Sequence, residues 1–241
     1  MLEALRERSA EVRNANATCD GGGVDMRGLD RSLLVVFRWL MEALGHLDVI
    51  RPVIAHRFAL PGLLTIETPR YDRGMVSYRR APVAGRDLIE RIEVYYRMAG
   101  ADPIRVEVPP GAAAAIEDRL RAAQLDFHYR VEDVVARKAR HGVFTVMPAV
   151  MAAIRVVPDY ERGLVATTLR NVDRLEGVML EFPPAGLDES ALEDLVRLIL
   201  GEANAFLLRA PLAGVGAASA ATRRNSHESS LSPSRYRTTS G

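Results

Sequence analysis

Twice in this chain an apolar-Glu-apolar triplet runs into a pair of prolines, as Val106-Glu107-Val108-Pro109-Pro110 and as Leu180-Glu181-Phe182-Pro183-Pro184. Proline has no amide proton to give to a ladder, so a strand must end at each stop. A helical pattern follows both. After the second stop, Ser190-Ala191-Leu192-Glu193 has the Ser-x-x-Glu spacing of a capping box, and Leu192, Leu195, Val196, Ile199, Ala203, Phe206 and Leu207 form one apolar stripe. After the first, residues 111–124 carry four successive alanines and the correctly ordered i,i+4 pair Glu117 and Arg121.

Upstream of each stop lies a second shared feature. Tyr71-Asp72-Arg73-Gly74-Met75-Val76 parallels Tyr160-Glu161-Arg162-Gly163-Leu164-Val165, each reading as a polar turn with glycine at a positive φ and a strand beyond it. Two matches in the same chain order suggest a duplicated hairpin, strand and helix unit, spanning residues 69–121 and 158–209. The offset is 89 residues at the turn but 74 at the stop, so one copy must carry an insertion, most simply residues 82–97. The alternative is two independent hairpins, because aromatic-acid-Arg-Gly is good turn chemistry in any setting.

Residues 30–44 predict an N-terminal helix. Its apolar positions (33–37, 39–41, 43 and 44) leave only Arg31, Arg38, Glu42 and Gly45 grouped on the wheel, so most of its circumference should be buried and Gly45 should end it. Arg38 and Glu42 interrupt it too soon for a bilayer span, and its polar face lacks the basic enrichment of a membrane-surface helix. It is either a core helix or one that docks a partner. Strands are expected at residues 52–58, 63–67, 75–80, 91–98, 104–108, 126–135, 143–147, 153–157, 164–169 and 178–182, where β-branched and aromatic residues alternate with polar ones.

These elements add up to an α+β fold: mostly antiparallel, short-stranded sheets in two units, each closed by a helix, with the N-terminal helix packed on them. The expected organisation is a flexible segment at 1–29, a helix plus first unit at 30–125, a second unit at 126–211 and a disordered tail at 212–241. The start has no apolar h-region and does not read as a signal peptide. Cys19 is the sole cysteine, which points to a reducing cytoplasm. Lys138 is the one lysine among 32 basic residues; the bias to Arg, Ala, Gly and Val suits a GC-rich bacterial coding sequence.

Those 32 basic residues face 31 acidic ones, so there is no general attraction for nucleic acid or acidic lipid. His46, His56, His128, His141 and His227 lack metal-ligand spacing, and Gly21-Gly22-Gly23 lacks the strand and Lys-Ser that a phosphate cradle needs. No metal or cofactor is expected. Arg137-Lys138-Ala139-Arg140-His141-Gly142 reads as a solvated hairpin turn, with phosphate contact a weaker alternative because no aromatics interleave. One constellation stands above background: Tyr71 and Arg73 with Tyr160 and Arg162. If a pseudo-twofold relates the two turns, both guanidinium forks could meet on one carboxylate or phosphate.

The function expected from all this is a non-enzymatic interaction or regulatory module, self-associating or binding a protein partner through an exposed sheet edge or a leftover apolar stripe. The competing class is a binder or enzyme of small anionic molecules with its site between the two units. Nucleic-acid binding comes third.

Overall fold

The computed structural model describes residues 24–67, 69–134 and 139–210. Within them the chain is α+β. Helix α1 (Met26–Ile50) leads into a small hairpin of β1 (Arg57–Leu60) and β2 (Leu64–Glu67), then a long one of β3 (Arg70–Val83) and β4 (Arg86–Ala99). There follow β5 (Ile104–Val108), α2 (Ala113–Ala122), β6 (Phe127–Val134), β7 (Ala139–Val146), β8 (Ala149–Asp159), β9 (Leu164–Arg170), β10 (Gly177–Phe182) and α3 (Glu189–Leu200). Five strands form an antiparallel sheet in the order β10-β9-β8-β4-β3, and three form another in the order β5-β7-β6. The ladder between β4 and β8 resumes as that between β5 and β7, and Gly100 N–H bonds the Pro148 carbonyl at 2.7 Å where it breaks.

Helix α1 starts four residues earlier than its apolar run suggests, because Asp25 caps it by accepting from Gly28 N–H at 2.9 Å. It also runs past Gly45 and ends at Arg51, whose φ of 46° closes it in the left-handed region. Continuing the helix places Leu47 on the core, in line with the buried Leu29, Leu33, Val36, Leu40 and Leu44. That stripe is narrower than expected: Val35, Met41, Val49 and Ile50 are exposed. Each fully buried leucine contributes about 1.5–3 kcal/mol over an exposed one, so the stripe is what holds α1 down.

Both Pro-Pro stops behave alike. Each turns a strand into a short 3₁₀ segment, Pro110–Ala112 before α2 and Pro184–Gly186 before α3, closed by Ala112 N–H to Pro109 and Gly186 N–H to Pro183. The upstream halves differ. Tyr160-Glu161-Arg162-Gly163 is the β8–β9 turn, with Gly163 at φ 66° and the Asp159 carboxylate accepting from the amides of Glu161 and Arg162. Tyr71-Asp72-Arg73-Gly74 is not a turn; it lies inside β3. Gly74 lacks a positive φ and is needed for close approach, since a Cβ there would sit 2.2 Å from the Tyr71 hydroxyl. β5 and β10 are both edge strands, but of different sheets, β10 pairing with the strand before it and β5 with the later β7, so the duplication is not confirmed.

Other expectations shift locally. Residues 52–56 make single bonds to the start of β3 (Ile54 N–H to Pro69, Tyr71 N–H to Pro52) rather than a strand. Helix α3 is capped by Asp188, which accepts from Ala191 N–H at 2.9 Å, and not by Ser190. It stops at Gly201, φ 77°, so Ala203, Phe206 and Leu207 lie beyond it, and Phe206 packs back on Phe182 at 5.4 Å. In the basic run, Ala139, Arg140, His141 and Gly142 belong to β7 rather than to a turn, while Arg137 and Lys138 lie outside the described residues. So do residues 1–23 of the expected flexible start, with Cys19 and the three glycines, and the whole of the expected disordered tail, 212–241. No helix among the described residues is long and apolar enough to cross a membrane.

Candidate functional site

The long β3–β4 hairpin carries two irregularities. In one, Tyr71 pairs with Met98 and Arg73 with Arg97, leaving Asp72 as the extra residue on β3; in the other, Arg79 pairs with Arg91 and Arg80 with Ile89, leaving Glu90 extra on β4. A bulge frees backbone groups that the ladder no longer pairs. Helix α1 supplies an aspartate to each place. Asp30 accepts from Ile89 N–H at 2.7 Å, and Asp48 accepts from Gly74 N–H at 2.9 Å. Eighteen residues separate the two aspartates, which is five helical turns and about 27 Å, so both project from one side of α1. Along β4, Ile89 and Tyr96 (the partner of Gly74) are seven residues apart, roughly 23 Å. The helix is thereby fastened to the hairpin at both ends.

Both tyrosines expected at a binding site belong to these fastenings. Tyr71 is buried and donates its hydroxyl to Asp48 at 3.0 Å. Tyr160 is buried and donates to the Ile89 carbonyl at 2.9 Å, beside Asp30. Burial raises the hydroxyl pKa of each, helped at Tyr71 by the hydrogen bond to Asp48 and at Tyr160 by the charge of Asp30. Neither hydroxyl is presented to a ligand.

The arginines are not brought together. Arg73 lies opposite Arg97 on β4, whereas the Tyr160 turn reaches β4 at Ile89, eight residues and roughly 26 Å along the strand. Arg162 is moreover already engaged, its fork meeting both oxygens of Glu181 at 2.8 and 3.1 Å and holding that carboxyl below its ordinary range. One anion cannot bridge Arg73 and Arg162. Among the described residues no three His, Cys, Asp or Glu side chains group so as to hold a metal ion.

Two surfaces are left with chemistry to spend. The first is the free side of β3, the last strand of its sheet. Beyond the bridge from Val53 to Arg70, no described strand covers its edge from residue 72 to 83. Tyr78, 42 % exposed, meets Phe37 of α1 edge-on at 4.7 Å, and Leu34, Phe37 and the 52 %-exposed Met41 extend the apolar flank along the helix. Asp30 and Asp48 fall on this same flank of the wheel, which fixes it toward β3.

The second surface is a groove of about 380 Å³ on the other flank of α1, where α3 lies alongside. Trp39, Glu42 and His46 line it from α1, and Glu189, Glu193, Val196 and Arg197 from α3. The chain matches no family model, no curated protein and no solved structure. What the protein does must therefore be read from these surfaces.

An exposed sheet edge or a leftover apolar stripe is expected from the sequence, but neither surface is located by it. The signal was present in α1: a helix resting on one sheet buries a single stripe, yet this one is apolar at Leu34, Val35, Phe37, Trp39 and Met41 as well as along the stripe. Such an excess marks further contacts on its flanks.

Proposed function

We propose that this protein is a non-enzymatic interaction module that works as a twofold dimer, with the uncovered edge of β3 and the adjoining flank of α1 as the shared surface. The observation that carries the reading is the pairing of an open edge strand with an apolar helix flank at Leu34, Phe37, Met41 and Tyr78. An edge exposes unpaired amides and carbonyls that template another strand, and an antiparallel edge can pair with its own copy about a twofold axis. The flanking apolar residues would then meet their twofold mates and lose water. A cytoplasmic, bacterial setting suits a chain with one cysteine and arginine as nearly its only basic residue.

Sedimentation equilibrium tests it. A dimer is expected at micromolar concentration, and Met41→Glu with Tyr78→Asp is expected to return a folded monomer whose melting falls only modestly, by the loss of the Tyr78 contact with Phe37, since the two side chains are 52 % and 42 % exposed. A wild-type chain that stays monomeric up to about 100 μM, where a weak complex with Kd near 10 μM would be formed, overturns the reading.

A further inference from the structure

The groove between α1 and α3 has a composition unlike that of the β3 flank. Three carboxylates border it, Glu42, Glu189 and Glu193, against a single guanidinium. Arg197 is shared between Asp194 at 3.2 Å and Glu193 at 3.6 Å, so it offsets Glu193 only in part. Glu42 and Glu189 make no ion pair or hydrogen bond with described side chains. Apart from His46, the walls between these acids are apolar, with Trp39, half-buried, on α1 and Val196 on the facing helix.

We propose that this groove is the docking site for an arginine-bearing helical segment of a partner protein, independently of the dimer. The charge fixes the sign of the partner: an acidic opening rejects nucleic acid and anionic lipid and attracts cations. The aromatic wall favours arginine, whose planar guanidinium stacks on an indole and bonds a carboxylate bidentately. The shape favours a helix. Two helices side by side leave a trough in which an amphipathic third can lay its apolar stripe, with basic residues reaching Glu42 on one bank and Glu189 and Glu193 on the other. A volume near 380 Å³ admits one or two large side chains and not a folded domain.

Trp39 is the chain's only tryptophan, so its fluorescence reports on this groove alone. The probe is a short synthetic helical peptide carrying leucine and arginine on one face, titrated into the full-length protein. The expected result is a saturable change in Trp39 emission. Its dissociation constant should rise about tenfold when salt is raised from low to roughly 0.5 M, where screening shortens the reach of charge to a few ångströms. Glu42→Gln with Glu193→Gln should weaken binding about tenfold at low salt while the melting temperature stays unchanged, because both side chains are exposed. Should that variant fail to fold, two comparisons on the unaltered protein still decide. A peptide with glutamate in place of arginine must not bind, and spermine at equal charge must not displace the arginine peptide. No emission change with the arginine peptide, equal binding of the glutamate peptide, or displacement by spermine each overturns the proposal.

Discussion

The two ends of α1 meet the β3–β4 hairpin with one device in two settings. At Asp30 the carboxylate is buried at 8 % exposure and meets Ile89 N–H together with the Arg80 guanidinium at 3.3 Å, while Arg80 is also held by Asp87 at 2.8 Å. At Asp48 the residue is exposed, and its partners are a backbone amide and a tyrosine hydroxyl with no cation. The difference is one of solvation. A charge withdrawn from water needs an opposite charge as well as hydrogen bonds, whereas one at the surface completes its shell with water. The same aspartate-to-bulge contact is thus costly to disturb at one end and cheap at the other.

The sharpest test is Asp30→Ala, which leaves Ile89 N–H buried without an acceptor and Arg80 without its inner partner. The expected loss is about 3 kcal/mol, read from the urea midpoint, in the range for breaking a partly buried ion pair with its hydrogen bond. Asp48→Ala should cost less, about 1–2 kcal/mol, because water can replace the lost acceptor for Gly74. A larger loss at Asp48 than at Asp30 would invert the comparison. The two changes lie about 27 Å apart and share no partner, so the double variant should be additive within about 0.5 kcal/mol. A strong positive coupling would show instead that either fastening, once lost, releases the whole helix.

The tyrosines at the two ends, with Tyr96 between them, give the comparison a pH dependence. Burial raises the pKa of Tyr71, Tyr96 and Tyr160 well above the usual 10. In the folded chain these hydroxyls stay protonated where the unfolded chain releases its protons. Above about pH 10 the native state therefore binds more protons than the unfolded one, and the slope of stability against pH is negative. Their contribution is whole below pH 10 and is lost as the pH rises toward the folded values. Urea melts between pH 9 and 11.5 should show stability falling over that window. A flat profile would mean that the hydroxyls are open to water, and with them both ends of the helix.

How much of this could be read in the residues depended on the range of the interaction. The Pro-Pro stops, the alternation from Ile92 to Met98 and the stripe of α1 are local patterns, and each appears where its period or its missing amide places it. The bulges were hidden, because an extra residue such as Asp72 or Glu90 looks like any other in a strand; only the partner strand reveals that it has no mate. Tyr71-Asp72-Arg73-Gly74 shares its chemistry with the true turn at Tyr160, and what separates them is Tyr71 reaching back to Asp48, 23 residues away in sequence. Gly45 was a plausible stop for α1 by composition, but Leu47 on the core and Asp48 at the bulge outweigh a glycine's cost of roughly 1 kcal/mol in a helix. The groove and the β3 edge come from sheet order and helix placement, which no local pattern specifies.

The smallest effect expected concerns the pair of stacked rings beside the Asp48 end. Tyr71 and Tyr96 lie nearly parallel, 18° apart with centroids at 6.0 Å, and both are buried, but only Tyr71 has a hydroxyl partner. The Tyr96 hydroxyl is wholly enclosed and meets no donor or acceptor among the described residues. Replacing Tyr71 by Phe should cost about 1 kcal/mol, since it deletes a hydrogen bond to a carboxylate and leaves Asp48 with Gly74 alone. Replacing Tyr96 by Phe removes a polar group that folding desolvates without return, so stability should stay level or rise by up to about 1 kcal/mol. The same change should also flatten the alkaline slope by about a third, one of three raised tyrosines having been taken away. Ring stacking is kept in both variants, which confines the difference to the hydroxyls. If Tyr96→Phe instead destabilises as much as Tyr71→Phe, then its hydroxyl has a partner, an enclosed water being the simplest, and the buried face of α1 is wetter beside Asp48 than the contrast between its two ends implies.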